Sequence, residues 1–139
     1  MAIADTGFWL ALAIQQDEHH LRAIEAASRL TEPLITTWPV ISETCHLLLQ
    51  RKGTDAQNQF IDGIVTKKFQ IFAIEIEQAS RLSQLMKQYA DLPMDLADAS
   101  LVILAEHLGN GRILSTDRRD FNTYRWKNRE PFENLMFLT

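Results

Sequence analysis

Short runs of apolar and β-branched residues recur along this chain and alternate with longer helical stretches: MAIAD, PLITTW, FQIFAI and RILST. This alternation constrains the fold more than any other feature of the sequence. Strands separated by helices pair in parallel, through right-handed crossovers that lay helices on both faces of a sheet. We therefore expect an α/β fold, a three-layer α/β/α sandwich around a small, mostly parallel sheet. A length of 139 residues supports one core better than two. No Pro/Gly/Ser-rich linker or fixed-period repeat interrupts the chain, so residues 1–139 are expected to form a single domain.

Periodicity assigns the elements. MAIAD reads as a buried strand ending at Asp5, and Thr6-Gly7 turns the chain into a helical stretch around Phe8 to Ile14. HLRAIEAASRL continues as a second helix. PLITTW is a strand, followed by a helix that takes Pro39 in its first turn and stops at Gly53. TDAQNQFIDGIVTKK is expected to be a helix capped by Thr54 or Asp55. FQIFAI has the composition of a buried strand, and EQASRLSQLMKQYAD is amphipathic. PMDLADASLVILAE is a further helix, ended by Gly109 and Gly111. RILST is then a strand, DRRDF a polar turn, and NLMFLT a last short strand.

Charge and cysteine usage narrow the class. Eighteen acids against fourteen Lys and Arg give a net charge of −4, which argues against nucleic-acid binding through overall basicity. Local basic groups, Arg118-Arg119 among them, leave room for phosphate contacts. The single Cys45 excludes an internal disulfide and suits a reducing compartment. The apolar N-terminal stretch lacks a basic flank and a small-residue cleavage site, and no run is long enough to span a bilayer. The expectation is a cytoplasmic protein with no membrane association.

The acids are placed where they cost most. Ligand sites of parallel sheets gather beyond the C-terminal ends of the strands. Asp5 closes the first strand, Asp117 follows RILST, and Glu43 lies one turn into the helix after PLITTW. Asp98 begins a helix leading into the RILST strand, so it starts near the same edge. Both Asp98 and Glu43 lie on or beside apolar helix faces. Each acid alone is well explained as a helix cap, a turn former or an acid favoured by a helix dipole. Four converging acids are harder to explain that way, because two carboxylates about 4 Å apart repel by roughly 4 kcal/mol at an effective dielectric of about 20. No lysine or histidine in these motifs neutralises them, so a divalent cation is the economical counter-charge. Oxygen-only ligands select Mg²⁺ or Mn²⁺ over Zn²⁺, and such ions serve hydrolysis of phosphodiesters.

Taken together, IADTGFWLAL, ISETCHLL, MDLADASLVILAE and ILSTDRRDF resemble, in order and over the whole chain, the PIN-domain family, in particular the VapC-like ribonuclease toxins of toxin–antitoxin pairs. The resemblance implies a three-layer α/β fold, dependence on Mg²⁺ or Mn²⁺, and endonucleolytic cleavage of RNA. It further implies frequent homodimers and inhibition by a small antitoxin protein. Its catalytic and metal-binding acids correspond to Asp5, Glu43, Asp98 and Asp117, with Thr6 following the first. Asp95, one helical turn from Asp98, is a further candidate ligand or outer-sphere acid, and Asp120 is a candidate assistant or a cap. Thr116 is a candidate to bond a carboxylate or a metal-bound water, or simply fills a strand position, and Arg118 and Arg119 are candidates to hold substrate phosphates.

Other features carry less. The histidines of DEHH point in different directions on a helix and lack a partner cluster. His46 and His107 read as structural histidines, Cys45 as a small buried hydrophobe, and Phe8 and Trp9 as either core or a partner surface. A non-catalytic RNA-binding or regulatory domain is the competing function, disfavoured because a pure binder gains nothing from an acidic pocket facing phosphates. A phosphatase of the haloacid type would need a D-x-D near the start where ADTGF stands. A receiver domain would need a lysine where Arg118 and Arg119 stand.

Overall fold

A computed structural model describes residues 1–138. Its centre is a five-stranded parallel sheet built from β1 (Ala2–Ala4), β2 (Leu34–Thr37), β3 (Gln70–Phe72), β4 (Arg112–Leu114) and β7 (Glu133–Asn134), in the order β3-β2-β1-β4-β7. β1 is central, and its three residues are fully buried, as a strand with neighbours and helices on every side requires. The chain moves outward from β1 through β2 to β3, then returns to place β4 on the other side of β1. The strand order therefore reverses between β1 and β4, where a crevice opens beyond the strand ends.

The first two crossovers contribute one layer. Here α1 (Thr6–Ala13) packs on α2 (His20–Arg29) and α3 (Trp38–Lys52), and α3 packs on α4 (Thr54–Val65). The return crossover contributes α5 (Ala79–Gln88) and α6 (Leu96–Leu108), which pack on each other, with α6 also against β1 and β2. Being covered on several sides, α6 is apolar almost all round, from Ala97 to Ala105. Thr37 Oγ1 and Ser100 Oγ share a 2.6 Å hydrogen bond that ties the end of β2 to α6. The three-layer α/β sandwich expected from the strand–helix alternation is the fold observed, and its sheet is parallel throughout.

Several local expectations are corrected. No side-chain cap forms at Thr54 or Asp55. Gly53 sits at a φ of +93°, ends α3 and starts α4 as a single hinge residue. FQIFAI yields only the three residues of β3, half-exposed because β3 is an edge strand with one neighbour. Trp38, read as the end of a strand, is the first residue of α3. DRRDF is not a turn. It forms α7 (Arg118–Thr123), which Asp117 caps and which buries Asp120 and Phe121. A hairpin of β5 (Arg125–Trp126) and β6 (Glu130–Pro131) follows, turning through Lys127 and Asn128 at positive φ. Glu106 of α6 holds it by accepting from the Lys127 N–H at 2.6 Å while paired with Arg81.

The last strand ends at Asn134, before most of NLMFLT, whose final Thr139 lies outside the described residues. Beyond it the Asn134 side chain replaces backbone pairing. It accepts from the Ser115 and Met136 N–H groups and donates to the Ser115 carbonyl at 2.9 Å. Among the described residues no helix is long and apolar enough to cross a membrane.

Leu101 is fully buried at the centre of α6. Leu101→Ala should destabilise the fold by about 2–5 kcal/mol through lost apolar burial and the cavity left behind. Urea denaturation at constant slope checks this.

Candidate active site

The crevice between β1 and β4 collects the acids. Asp5 follows β1 directly, is 7% exposed, and caps α1 by accepting from the Thr6 N–H at 2.8 Å. Its other oxygen accepts from Ser115 Oγ, also at 2.8 Å, across the β1–β4 junction. The same Ser115 hydroxyl oxygen accepts from the Asp117 N–H at 3.0 Å, so one side chain fixes both acids. Asp117 in turn caps α7 through the Asp120 N–H. Asp98 stands in the first turn of α6 and accepts from the Tyr124 hydroxyl at 2.8 Å. Asp95 caps α6 by accepting from the Asp98 N–H. Three of the acids therefore start helices, which places the positive ends of three helix dipoles around one crevice.

Burial and neighbouring acids both raise the carboxylates of the site. Burial raises Asp5 from 3.8 to about 6, against the lowering effect of its bonds to Ser115 and Thr6, and the charges of Glu43 and Asp117 raise it further. Asp98 is pushed up to about 8, chiefly by burial and then by the Asp5 charge, with Asp95 and Asp117 adding to it. The Tyr124 bond offsets part of that rise. Asp117 is also raised, first by burial, while the nearby Arg119 opposes the shift. Burial and the Asp98 carboxylate hold Tyr124 firmly protonated, so it remains a donor. Asp5, Glu43, Asp95, Asp98 and Asp117 thus act on one another in a single field.

The donor set suits a hard divalent cation. It consists of oxygens only, and the buried hydroxyl of Thr6, next to Asp5 in the chain, has no hydrogen-bond partner. Among the described residues no three Asp, Glu, His or Cys side chains already enclose a common position.

The remaining sequence candidates are distributed differently. The carboxylate bond expected of Thr116 is made by Ser115, one residue earlier. Thr116 instead packs its hydroxyl against Gly7, where any Cβ would collide with it. Arg118 lies over the Phe137 ring at 4.4 Å. Arg119 donates to Asp120 at 3.0 Å and to the Leu92 carbonyl. Asp120 is buried within α7 as that partner. Asp95 is exposed, and Glu43 is half-buried on α3. Trp9 is core, edge-on to Phe8 and tilted against Phe60 and Phe69. Cys45 is half-buried, and His107 is exposed against the Phe72 ring. Sequence reasoning missed Ser115 and Tyr124. Neither carried a sequence signal, since the segment after RILST reads as a polar turn and Tyr124 reaches Asp98 only through the tertiary fold.

The family model described as PIN domain matches residues 2–127. The chain belongs to the PIN-domain family. This PIN domain is 29% identical over 126 residues to Ribonuclease VapC26 of Mycobacterium tuberculosis, covering 88% of this chain and 91% of that protein. Its fold superposes on the crystal structure of VapC20 from Mycobacterium tuberculosis, described as a toxin that cleaves the sarcin–ricin loop. That likeness has a TM-score of 0.80 at 18% identity, over 86% of this chain and 92% of the other.

The raised carboxylates fix the sign of the pH dependence. With folded pKa values of about 6 and 8 against a reference value of 3.8, the folded state binds more protons than the unfolded state across that window. Stability contributed by these groups is present at low pH and lost as pH rises through their folded pKa values. In chelator, the Tm at pH 5.5 should exceed that at pH 8.5 by about 3 °C or more, and Asp98→Asn should flatten the difference. A Tm that rises with pH in the wild-type protein would contradict the assignment.

Proposed function

We propose that this PIN domain is an endoribonuclease that hydrolyses RNA phosphodiester bonds with Mg²⁺ or Mn²⁺, and that it is the toxin of a toxin–antitoxin pair. The observation that carries the reading is the field of carboxylates at the β1–β4 crevice, with Asp5 and Asp98 both raised by burial and by neighbouring acids. Similarity to a curated ribonuclease over most of both chains supports the same reading.

In this reading Asp5, Asp98, Asp117 and Glu43 hold the cation, with Asp95 at the rim. A divalent ion there supplies positive charge to a phosphate and acidity to a water molecule. The chain's own groups prepare that site. Ser115 orients Asp5 and, through the Asp117 N–H, aligns the acid that follows β4. Tyr124 holds one Asp98 oxygen and leaves the other for the crevice. The buried Thr6 hydroxyl, next in the chain to Asp5, has no hydrogen-bond partner. Arg119 moderates the charge on Asp117, and Arg118 and Arg119 at the start of α7 contribute positive charge for substrate phosphates. A cognate antitoxin protein and a second copy of the chain are the partners that accompany this reading, and the cytoplasm is its compartment.

Incubation with a mixed RNA pool in Mg²⁺ or Mn²⁺ tests the activity. Asp5→Asn and Asp98→Asn should each lower cleavage by roughly 100-fold or more, and Asp95→Asn by no more than about tenfold. Cutting that persists in chelator, or in both first variants, would exclude the proposed site. Binding has its own readout: millimolar Mn²⁺ at pH 8.5 should raise the Tm of the wild-type protein and leave that of an Asp5→Asn/Asp98→Asn double variant unchanged.

A further inference from the structure

One prominent side chain has no part in the site described above. Trp38, the first residue of α3, is 52% exposed. The other two tryptophans are engaged: Trp9 is core, and Trp126 donates its indole N–H to the Pro131 carbonyl. Indole is the largest apolar surface a residue can offer, so half-exposing it gives up burial that the fold elsewhere secures.

Its position is specific. Trp38 lines a cleft of about 630 Å³ together with Ser42, Glu43, His46, Asp95 and Leu96. That volume is within the roughly 300–1,000 Å³ typical of sites for small organic groups. The indole therefore shares a wall with two of the candidate acids. Ser42 and His46 lie one and two turns beyond Trp38 on the same side of α3, and both are exposed. His46 is thus a surface residue, not the structural histidine expected from its apolar neighbours. A second hollow adjoins the first through Trp38, Pro39 and Leu96 and runs on to Ile76, which is 81% exposed. Trp38 stands between the two.

We propose that Trp38 is a stacking platform that seats one unpaired nucleobase of the substrate beside the scissile phosphodiester, with Ser42 and His46 contacting its edge. The proposal rests on the ribonuclease reading and adds to it a residue of this chain that seats a base. The physical need is clear. A chain of net charge −4 with an acidic crevice repels an RNA backbone and gains little from overall charge. An uncharged base meets no such repulsion, and every base has a π-face that an indole accepts. A base inside a duplex has both faces covered, so only an unpaired one fits. The cleft is continuous with the candidate acids Glu43 and Asp95, the position a base next to the scissile phosphodiester would take.

The probe is a pool of random-sequence single-stranded RNA 12-mers, with the same sequences annealed as duplexes for comparison. In the Asp5→Asn background, single-stranded RNA should quench tryptophan emission, and duplex should not. The quench should vanish in Asp5→Asn/Trp38→Ala. In the otherwise wild-type protein, Trp38→Ala should raise KM about tenfold with a smaller change in kcat and blur the base preference at one position next to the cut. Trp38→Phe should recover most of the loss, and thermal unfolding of both variants should match the wild type.

Quenching and KM that are unchanged in Trp38→Ala would overturn the proposal. So would a loss that coincides with dissociation to monomer in sedimentation, which would make Trp38 a contact between two copies. If the wild-type protein cuts no RNA, the ribonuclease reading fails on its own, and the quenching of the Asp5→Asn protein still decides whether a base stacks here.

Discussion

Burying the Asp5 carboxylate at the junction of β1 and β4 is the constraint around which the rest is arranged. A charge in that position is tolerable only if its oxygens are paired. One pairs with the first N–H of α1 and the other with the Ser115 hydroxyl. Ser115 is itself held by the Asn134 side chain, which donates to its carbonyl from the far edge strand. The support for one carboxylate thus runs from the central strand through β4 to β7. Compensation is incomplete, as the upward shift of Asp5 despite both bonds makes plain.

The same economy explains why helices begin where the acids lie. Each helix start presents unpaired N–H groups, and a carboxylate is among the best acceptors for them. Asp5, Asp95 and Asp117 serve as caps of α1, α6 and α7. Capping occupies one oxygen of each acid and fixes its direction; the other is bonded to Ser115 in Asp5 and, among the described residues, makes no hydrogen bond in Asp95. The choice between a cap and a functional acid is therefore a false one here, since both roles fall to the same side chain. Tyr124 completes the arrangement by tying α6 to the segment after α7, packed against Tyr89 and Phe121.

Much of this was legible in the sequence. The strand–helix alternation gives the parallel sheet, and the strand ends give the acids, because a carboxylate after an apolar run marks the C-terminal edge. What was not legible depended on single-residue register or on tertiary support. Ser115 and Thr116 are adjacent hydroxyls just past the end of β4, one bonded to Asp5 and the other against Gly7, so an error of one residue exchanges their roles. The helix α7 is six mostly polar residues with no apolar period, and it exists because Asp117 caps it and Phe121 anchors it. The β5–β6 hairpin has two-residue strands and turns through Lys127 and Asn128, neither of which announces a positive φ. Trp38 looked like the last residue of a strand, and only its place at the head of α3 shows that its ring faces outward.

The junction of β1 with β4 also sets an order in time. Asp5 and the Ser115 hydroxyl that orients it are 110 residues apart in the chain. Contacts this distant form late, after the intervening loops have been closed. While the chain is being made, Asp5 emerges first and waits for Ser115, 110 residues later, with Asp117 and Tyr124 later still. A partly synthesised chain can hold helices and even a strand pair, yet it has no assembled crevice. The parallel topology is therefore a built-in delay: the arrangement of acids comes into being only once the segment after β4 has followed the first strand.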